Sequence, residues 1–308
     1  MTLPRTDSVV SYPSGRLNGA ATVLHSQMLD DGRLAVLLDT TPCHPVDAGW
    51  PDQGPDRALL KAGDPGGDDG TDDGGLAQWP VLDCIVAATD GTQLYIGADI
   101  PVRKGTEGWA FVVAHLLPAQ AHLAEGTAVE VSVDADRREA LNSGHTGCHL
   151  ASLALNRAVA GRWSKETRAD ALGQPDFDAA AIASSTITEY GSVDVFRLNK
   201  SLRRKGFSTE GLVEELPAIT EAINATLDGW TATGAAVRID RDGDRLTDRR
   251  YWVASLPEGE ASIPCGGTHI TSLAAVEGMS VSFTVEDADG TTVLRMVTRT
   301  GVATTGMR

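Results

Sequence analysis

The sequence predicts an α+β protein: an N-terminal antiparallel β-barrel or sandwich, followed by a domain in which helices pack on an antiparallel sheet. Short apolar runs broken by turn residues fill residues 20–125, as is typical of antiparallel strands. Two later segments have apolar side chains at three- and four-residue spacing, as amphipathic helices do. The last third then returns to strand-like runs. The chain has 308 residues and is 42% hydrophobic, which suffices for one large or two medium domains.

The N-terminal half contains four clear strand candidates. Asp31-Gly32 and Asp90-Gly91 fall between such runs, and these pairs favour the tight turns of β-hairpins. The expected strands are residues 33–39, 81–88, 93–96 and 110–116. We therefore expect a first domain over residues 1–125. Residues 63–75 within it are rich in aspartate and glycine and cannot bury apolar surface, so we expect a solvated acidic loop there.

The second domain, residues 126–308, is expected to combine strands with two helices. Residues 127–134 alternate and predict a strand, and a helix is expected at about residues 136–161. A second helix is expected at about residues 209–227, with Ser208 as its cap and Gly211 as a weakness in its first turn. Further strands are expected at residues 235–239, 251–254, 279–286 and 292–297. Residues 164–188 are expected to form either an ordered insertion that covers the site or a mobile loop.

The charge distribution gives two opposing signals about partners. The net charge is −16, which argues against DNA and other nucleic acids, because phosphate contacts need clustered Lys and Arg. Residues 197–205, however, hold five positive charges and no negative one. This run is either a solvated helix face or a patch that contacts phosphates. The cations are Arg197, Lys200, Arg203, Arg204 and Lys205.

The sequence indicates a cytoplasmic protein without a membrane span. It starts with no basic stretch followed by an apolar run, and no window approaches the ~20 apolar residues of a transmembrane helix. In a reducing compartment the four cysteines are expected to be free thiols or metal ligands rather than disulfides. They are Cys43, Cys84, Cys148 and Cys265. The oligomeric state is not predicted.

Two short motifs predict a metal site. His145 and His149 are four residues apart in a predicted helix, which puts both imidazoles on one face. Cys265 and His269 flank Gly-Gly-Thr, and the glycines permit a tight loop that turns a thiolate and an imidazole to one side. One soft and three borderline donors suit zinc better than magnesium or calcium. A purely structural zinc, closed by all four side chains, is the alternative.

The same residues carry a resemblance to a known family. Asp134-Ala-Asp-Arg137-Arg138, followed by His145-Thr-Gly-Cys-His149-Leu150, resembles the alanyl-tRNA synthetase editing domain and its free-standing AlaX-type relatives. That family is related to the threonyl-tRNA synthetase editing domain. Its motif reads His-Thr-Ala-Thr-His-Leu where this chain has His145 to Leu150. Its Cys-Gly-Gly-Thr-His-Val motif is nearly repeated from Cys265 onward. The resemblance covers residues 20–299 and implies a glycine-motif barrel before a catalytic editing domain.

The resemblance implies trans-editing, the zinc-dependent hydrolysis of an amino acid wrongly esterified to tRNA. It implies that the four metal ligands are the catalytic centre and that the basic run contacts tRNA. The implied substrate-binding residues are Thr41, Asp47, Gly49, Trp50, Cys148, Gly266, Gly267 and Thr268. Asp47 is either a general base or a solvated loop carboxylate.

Two departures from the family leave the substrate open. The stretch Thr41-Pro-Cys43-His44-Pro45 through Trp50 stands where the family has Thr-x-Phe-Tyr-Pro-x-Gly-Gly-Gly-Gln, and Cys148 replaces a threonine. Ser or Gly on tRNA(Ala) and a threonine-like or non-standard residue on another tRNA are therefore both expected candidates. Hydrolysis of a small amino-acid ester or amide without tRNA is a second hypothesis. A non-catalytic module with a structural zinc is a third.

Overall fold

A computed structural model of the protein describes residues 3–62 and 77–302. The predicted acidic loop at residues 63–75 lies outside the described residues. The fold is mixed α+β with antiparallel sheets, as predicted. The chain divides into two compact units. The first unit comprises Met1–Arg138, Arg241–Arg250 and Gly266–Thr268, and the second unit comprises Glu139–Asp240, Tyr251–Cys265 and His269–Arg308.

The first unit is built on an eight-stranded antiparallel sheet that curls into a half-barrel. The strands of this unit are β1 (Val9–Val10), β2 (Asn18–Met28), β3 (Leu34–Leu38), β4 (Thr40–Thr41), β5 (Ala58–Ala62), β6 (Ala77–Val81), β7 (Asp83–Thr89), β8 (Leu94–Ile96), β9 (Ala110–Leu117) and β10 (Ala128–Val133). Two of them, β1 and β4, form a small separate parallel pair. The order in the large sheet is β6-β5-β10-β2-β3-β9-β7-β8. The side chains of β3 and β9 are buried throughout, because alternate residues of each strand pack into two different apolar clusters.

Two of the predicted boundaries in this unit are wrong. The run predicted as one strand at residues 81–88 is the end of β6 followed by β7. β6 pairs with β5 whereas β7 pairs with β9, so the run is divided between two pairing partners at Leu82, which is 54% exposed. The strand assigned to the second domain at residues 127–134 is β10. It pairs with β2 and β5 and therefore belongs to the first unit.

Among the described residues, the chain after β10 forms four α-helices and seven strands. They are α1 (Ala135–Ala158), α2 (Phe177–Ala181), β11 (Ile182–Thr188), β12 (Gly191–Arg197), α3 (Lys200–Arg204), α4 (Leu212–Thr231), β13 (Val237–Arg241), β14 (Arg250–Leu256), β15 (Gly259–Pro264), β16 (Val276–Ala288) and β17 (Thr291–Val302). One sheet has the order β11-β12-β17-β16 and the other has the order β13-β14-β15. Within the described part of the chain, no helix combines the length and apolar character needed to cross a membrane.

Both predicted helices are confirmed, and one predicted cap is wrong. α1 corresponds to the helix expected at residues 136–161, and α4 corresponds to the one expected at residues 209–227. α4 begins at Leu212 because Gly211 adopts a left-handed conformation, with φ of 65°, and serves as the N-cap in place of Ser208. Leu216, Ile219 and Ile223 point into the core, as the three- and four-residue spacing predicted.

The segment at residues 164–188 is ordered rather than a mobile loop. It contains α2 and the whole of β11, which is an edge strand paired with β12. Asp176 caps α2 by accepting a hydrogen bond from the Ala179 amide. The sequence pattern missed β11 because only Ile187 of its side chains is buried, so its serines and threonines give no apolar alternation.

A backbone-to-backbone contact fixes α1 against the β11–β12 turn. A Cβ atom added to Gly144 would lie 2.3 Å from the Thr188 carbonyl oxygen and 2.5 Å from that of Gly191. The Tyr190 amide also donates a hydrogen bond to the Ala140 carbonyl at 2.9 Å. Only glycine permits such an approach, and the next residue along α1 is His145.

We predict that Gly144→Ala destabilises the protein. Overpacking of this kind costs about 1–3 kcal/mol, which outweighs the gain of ~1 kcal/mol that alanine brings in a helix. The matched control is Gly229→Ala in α4, where an added Cβ meets no atom within 4 Å. Urea unfolding should show a loss for the first variant and none for the second. Equal effects would mean that the contact at Gly144 is not close.

Candidate metal centre

The second unit brings together the four predicted metal ligands. His145 and His149 lie one turn apart on α1, and their ring centroids are 4.9 Å apart. Cys265 follows the end of β15, and His269 lies four residues further on. The His269 ring centroid lies 4.3 Å from that of His145 and 5.1 Å from that of His149. We call these four residues the four-donor cluster.

The donor atoms of the four-donor cluster converge on one point. Cys265 Sγ lies 3.2 Å from His269 Nε2 and 3.5 Å from His145 Nε2. One ligand atom from each residue lies within 4.8 Å of all the others. Three nitrogens and one sulfur at such separations could hold one metal ion.

The state of His149 supports an ion at this position. Its Nε2 atom is buried and has no hydrogen-bond partner among the described residues. A buried polar atom without a partner costs free energy, and an ion within the four-donor cluster would supply the missing partner. Burial also lowers the pKa of His149 to about 4, so the ring is neutral at pH 7 and its lone pair is available.

A hydrogen-bond chain orients His269. Its Nδ1 lies 3.3 Å from Thr146 Oγ1, which also accepts a hydrogen bond from the Ile270 amide at 3.4 Å. An imidazole that binds a metal commonly donates its other N–H to such an oxygen, and this fixes the ring orientation and the tautomer. The arrangement leaves Nε2, the atom that faces Cys265, as the ligand atom. The Trp252 ring, 5.0 Å from the His149 ring, supplies an apolar wall.

Gln53 is a candidate functional residue that the sequence analysis missed. Its buried side-chain amide donates to Thr268 Oγ1 at 2.8 Å and accepts from the Thr268 backbone amide at 3.0 Å. These two bonds fix the backbone next to His269. The motif that the sequence resembles has a glutamine at the position of Trp50, whereas the glutamine of this chain, Gln53, stands three residues later in the same turn-rich segment. An alignment that allowed a three-residue shift could have identified Gln53 from the sequence.

Three of the predicted substrate-binding residues line one cavity in the first unit. Asp47, Gly49 and Trp50 border a space of about 430 Å³, and Trp50 is 52% exposed. Asp47 is paired with Lys104 at 2.9 Å. Burial raises the pKa of the Asp47 carboxyl, but the Lys104 ammonium and the Gly49 amide outweigh burial and hold that pKa below its usual value. An ion-paired carboxylate of lowered pKa is a weak proton acceptor, so this geometry does not favour Asp47 as a general base.

Thr41 and Cys148 are engaged elsewhere. Thr41 is fully buried and its Oγ1 contacts His115 Nε2 at 2.8 Å, so its hydroxyl does not support the predicted contact with substrate. Cys148 lies on another side of α1 from the metal ligands, and its thiol donates to Asp194 at 3.5 Å. Burial and the Asp194 carboxylate raise the pKa of Cys148, which keeps it protonated. In the predicted Gly266–Thr268 stretch, Gly266 is exposed while Gly267 and Thr268 are buried.

The predicted basic run forms an exposed patch. Arg197 ends β12, and α3 begins at Lys200. All five cations are exposed, and no carboxylate of the described residues forms an ion pair with them within 4 Å. The Arg203 guanidinium donates to the Leu198 carbonyl at 3.2 Å, which holds it against its own turn. We call Arg197, Lys200, Arg203, Arg204 and Lys205 the basic patch.

Comparison with known proteins does not assign a family. No family model matches the chain, and a search of curated proteins finds no match. The resemblance to editing domains therefore rests on the motifs alone, and the geometry of the four-donor cluster is the independent observation.

We predict that His149→Ala removes one metal ion per chain. Loss of a ligand should weaken metal binding by more than the ~10- to 100-fold that loss of a ligand's hydrogen-bond partner costs. Metal content after dialysis, measured by inductively coupled plasma mass spectrometry, checks this. The control is His122→Ala, an exposed histidine outside the four-donor cluster. Equal metal content in both variants would exclude the four-donor cluster as the metal site.

Proposed function

We propose that the chain is a zinc-dependent aminoacyl-tRNA deacylase that acts in trans in the cytoplasm. The observation that carries this proposal is the convergence of four donors from two motifs that are over a hundred residues apart in the sequence. One thiolate and three imidazoles are a donor set that zinc favours. The order of the two motifs, and most of their residues, match those of the editing family that the sequence resembles.

The four-donor cluster suits a catalytic zinc ion. His145, His149, Cys265 and His269 would hold the zinc, with the orphaned His149 Nε2 as one donor. A bound zinc acts as a Lewis acid towards an ester carbonyl or a water molecule. Cys265 is only partly buried and the neighbouring Gly266 is exposed, so a substrate would approach the four-donor cluster from the side of Cys265. A closed structural site would favour burial of all four ligands.

One other side chain of the second unit would position a metal ligand. Thr146 holds the His269 ring in one orientation, through a contact of 3.3 Å between Thr146 Oγ1 and His269 Nδ1. Hydrolysis of an activated ester needs little beyond positioning and a polarised nucleophile. No separate general base is required by this scheme, in line with the ion pair that occupies Asp47.

The basic patch would contact the phosphates of the tRNA acceptor end. Its five exposed cations have no carboxylate partner among the described residues, so their charge is available to a polyanion. On a chain of net charge −16, such a patch would also orient the approaching nucleic acid, because the rest of the surface repels it. Two classes of substrate fit this proposed function: Ser or Gly on tRNA(Ala), and a threonine-like or non-standard residue on another tRNA.

A second candidate function is hydrolysis of a small amino-acid ester or amide without tRNA. The net charge of −16 favours it, since most of the surface is unfavourable for a polyanion. The dependence of turnover on salt concentration distinguishes the two functions. Turnover of a tRNA substrate should fall steeply as salt rises, whereas turnover of a neutral small ester should not.

The test is a panel of mischarged tRNAs. Seryl-, glycyl- and threonyl-tRNA are incubated with the zinc-loaded protein, and release of the radiolabelled amino acid is followed with and without a zinc chelator. We expect chelator-sensitive release from at least one of them, because the Lewis acid is lost with the ion.

His149→Ala should be inactive in the same assay, and His122→Ala should match the wild type. Release that persists in zinc-free protein would refute the metal-dependent scheme. No release from any tRNA, together with salt-insensitive cleavage of small esters, would favour the second function instead.

We also predict that neutralising the basic patch weakens tRNA binding and leaves metal content unchanged. In a variant with Lys200, Arg203, Arg204 and Lys205 changed to Gln, the slope of log K against log salt should fall by roughly 0.7 to 0.9 for each phosphate that the variant no longer neutralises. Filter binding over a range of salt concentrations gives this slope.

The matched control removes four exposed arginines of the first unit, at Arg5, Arg16, Arg57 and Arg249. It changes the net charge equally, so a purely global charge effect would weaken binding in both variants alike. Unaltered affinity in the patch variant would remove the basic patch from the tRNA interface.

A further inference from the structure

A second cluster of metal-ligating side chains lies in the first unit, where the proposed function makes no use of it. Cys84 on β7 and His115 on β9 are directly paired across the sheet. Cys43 follows β4 and completes the set. All three residues are fully buried, and one ligand atom from each lies within 4.8 Å of the other two. We call these residues the buried Cys2His cluster.

Hydrogen bonds fix the orientation and the tautomer of the His115 imidazole, as they commonly do for a metal-binding histidine. His115 Nδ1 lies 3.2 Å from the Val36 carbonyl oxygen, which can only accept a hydrogen bond, so Nδ1 carries the proton. Nε2 is then the atom with the lone pair. It receives a hydrogen bond from the Thr41 hydroxyl at 2.8 Å. A backbone carbonyl that fixes the tautomer of a ligating imidazole is the usual arrangement around protein metal sites.

The segment that carries Cys43 is fixed in place beside β7. The Val46 amide donates to the Cys84 carbonyl at 2.8 Å, and the Val86 amide donates to the Val46 carbonyl at 3.0 Å. The Cys43 amide donates to Thr41 Oγ1 at 3.1 Å. The two sulfurs and the imidazole are therefore held by three separate backbone segments, as is needed for a site that is formed by folding.

We infer that the buried Cys2His cluster is a second metal site, which takes one thiophilic d¹⁰ ion such as Zn²⁺ or Cu⁺. The donor set is two thiolates and one imidazole with no carboxylate, which excludes hard cations such as Mg²⁺ and Ca²⁺. The site is enclosed by the apolar core of the first unit, so it would be structural rather than catalytic. It would tie the start of the segment that leads to Asp47 and Trp50 to β7 and β9.

The protonation of the two thiols determines how many protons are released when an ion binds. A free cysteine thiol, whose ordinary pKa is about 8.5, is mostly protonated at pH 7, so the metal-free pair of thiols carries protons. On binding, each sulfur is deprotonated and forms one bond to the ion, and the displaced protons leave to solvent. His115 Nε2 forms the third bond, in place of the hydrogen bond that it accepts from the Thr41 hydroxyl. No electron is transferred. With Zn²⁺ the site becomes neutral, whereas Cu⁺ leaves one negative charge and suits a three-donor set.

Cadmium-113 NMR of the full-length protein tests this inference, since Cd²⁺ is a thiophilic d¹⁰ probe. The reduced protein, loaded with ¹¹³Cd, should give two resonances per chain. One belongs to the four-donor cluster, with one sulfur, and should vanish in His269→Ala. The other, further downfield because two sulfurs bind, should vanish in Cys84→Ser and survive in His269→Ala. Cys148→Ser, which removes a thiol that belongs to neither cluster, is the control and should keep both.

Native mass spectrometry then distinguishes the ions. The reduced His269→Ala variant, titrated with Zn²⁺ or anaerobically with Cu⁺, should retain one ion per chain with at least one of the two metals. Binding should release at least one proton per ion, which a pH indicator measures in weakly buffered solution.

Some results would overturn the inference. These are a wild-type ¹¹³Cd spectrum whose single resonance vanishes in His269→Ala, binding of neither ion by His269→Ala, or an intact mass that shows Cys43 and Cys84 joined as a disulfide. If Cys84→Ser does not fold, the comparison of the wild type with His269→Ala still decides. Because the readout is metal stoichiometry rather than hydrolysis, it is independent of the deacylase proposal.

Discussion

The desolvation of His149 is the constraint on which the site depends. Its Nε2 atom is removed from water and has no protein partner in the described structure, and burial lowers its pKa to about 4. The protein therefore maintains a neutral imidazole whose lone pair faces another two imidazoles and a thiol. This buried nitrogen has an energetic cost without an ion, because it has lost its contact with water and has gained no partner. A bound cation converts this cost into a stabilising interaction.

The surrounding structure holds the four donors at this point. α1 provides two of them on a rigid helix, and its position is fixed by the approach of Gly144 to the β11–β12 turn. The other two, Cys265 and His269, follow β15. Within the first unit, Gln53 forms two hydrogen bonds with Thr268. In the first unit, the buried Arg138 guanidinium pairs with Asp56 and also donates to the Pro42 carbonyl at 2.8 Å. That bond orders the segment from which Cys43 extends. Removing one partner of such a buried pair typically costs about 3–5 kcal/mol.

The sequence predicted the features that depend on local periodicity and missed those that depend on pairing. α1 and α4 follow from apolar spacing, and the His145–His149 pair follows from α1. β11 was missed because its exposed serines and threonines carry no alternation, and β10 was assigned to the wrong unit because a strand's partners are not encoded in its own pattern. Cys148 was predicted from its place inside the histidine motif. One residue is a rotation of about 100° on a helix, however, and this turns its thiol to Asp194.

A metal-dependent deacylase differs from a structural zinc protein in having an ion that a substrate can reach. The structure of the zinc-loaded protein with a non-hydrolysable 3′-aminoacylamino-adenosine tests this difference most directly. The account predicts one ion bonded to residues of the four-donor cluster, with the carbonyl or amino group of the analogue in direct contact with it. An ion closed by all four side chains, with the analogue bound elsewhere or not at all, would contradict the account.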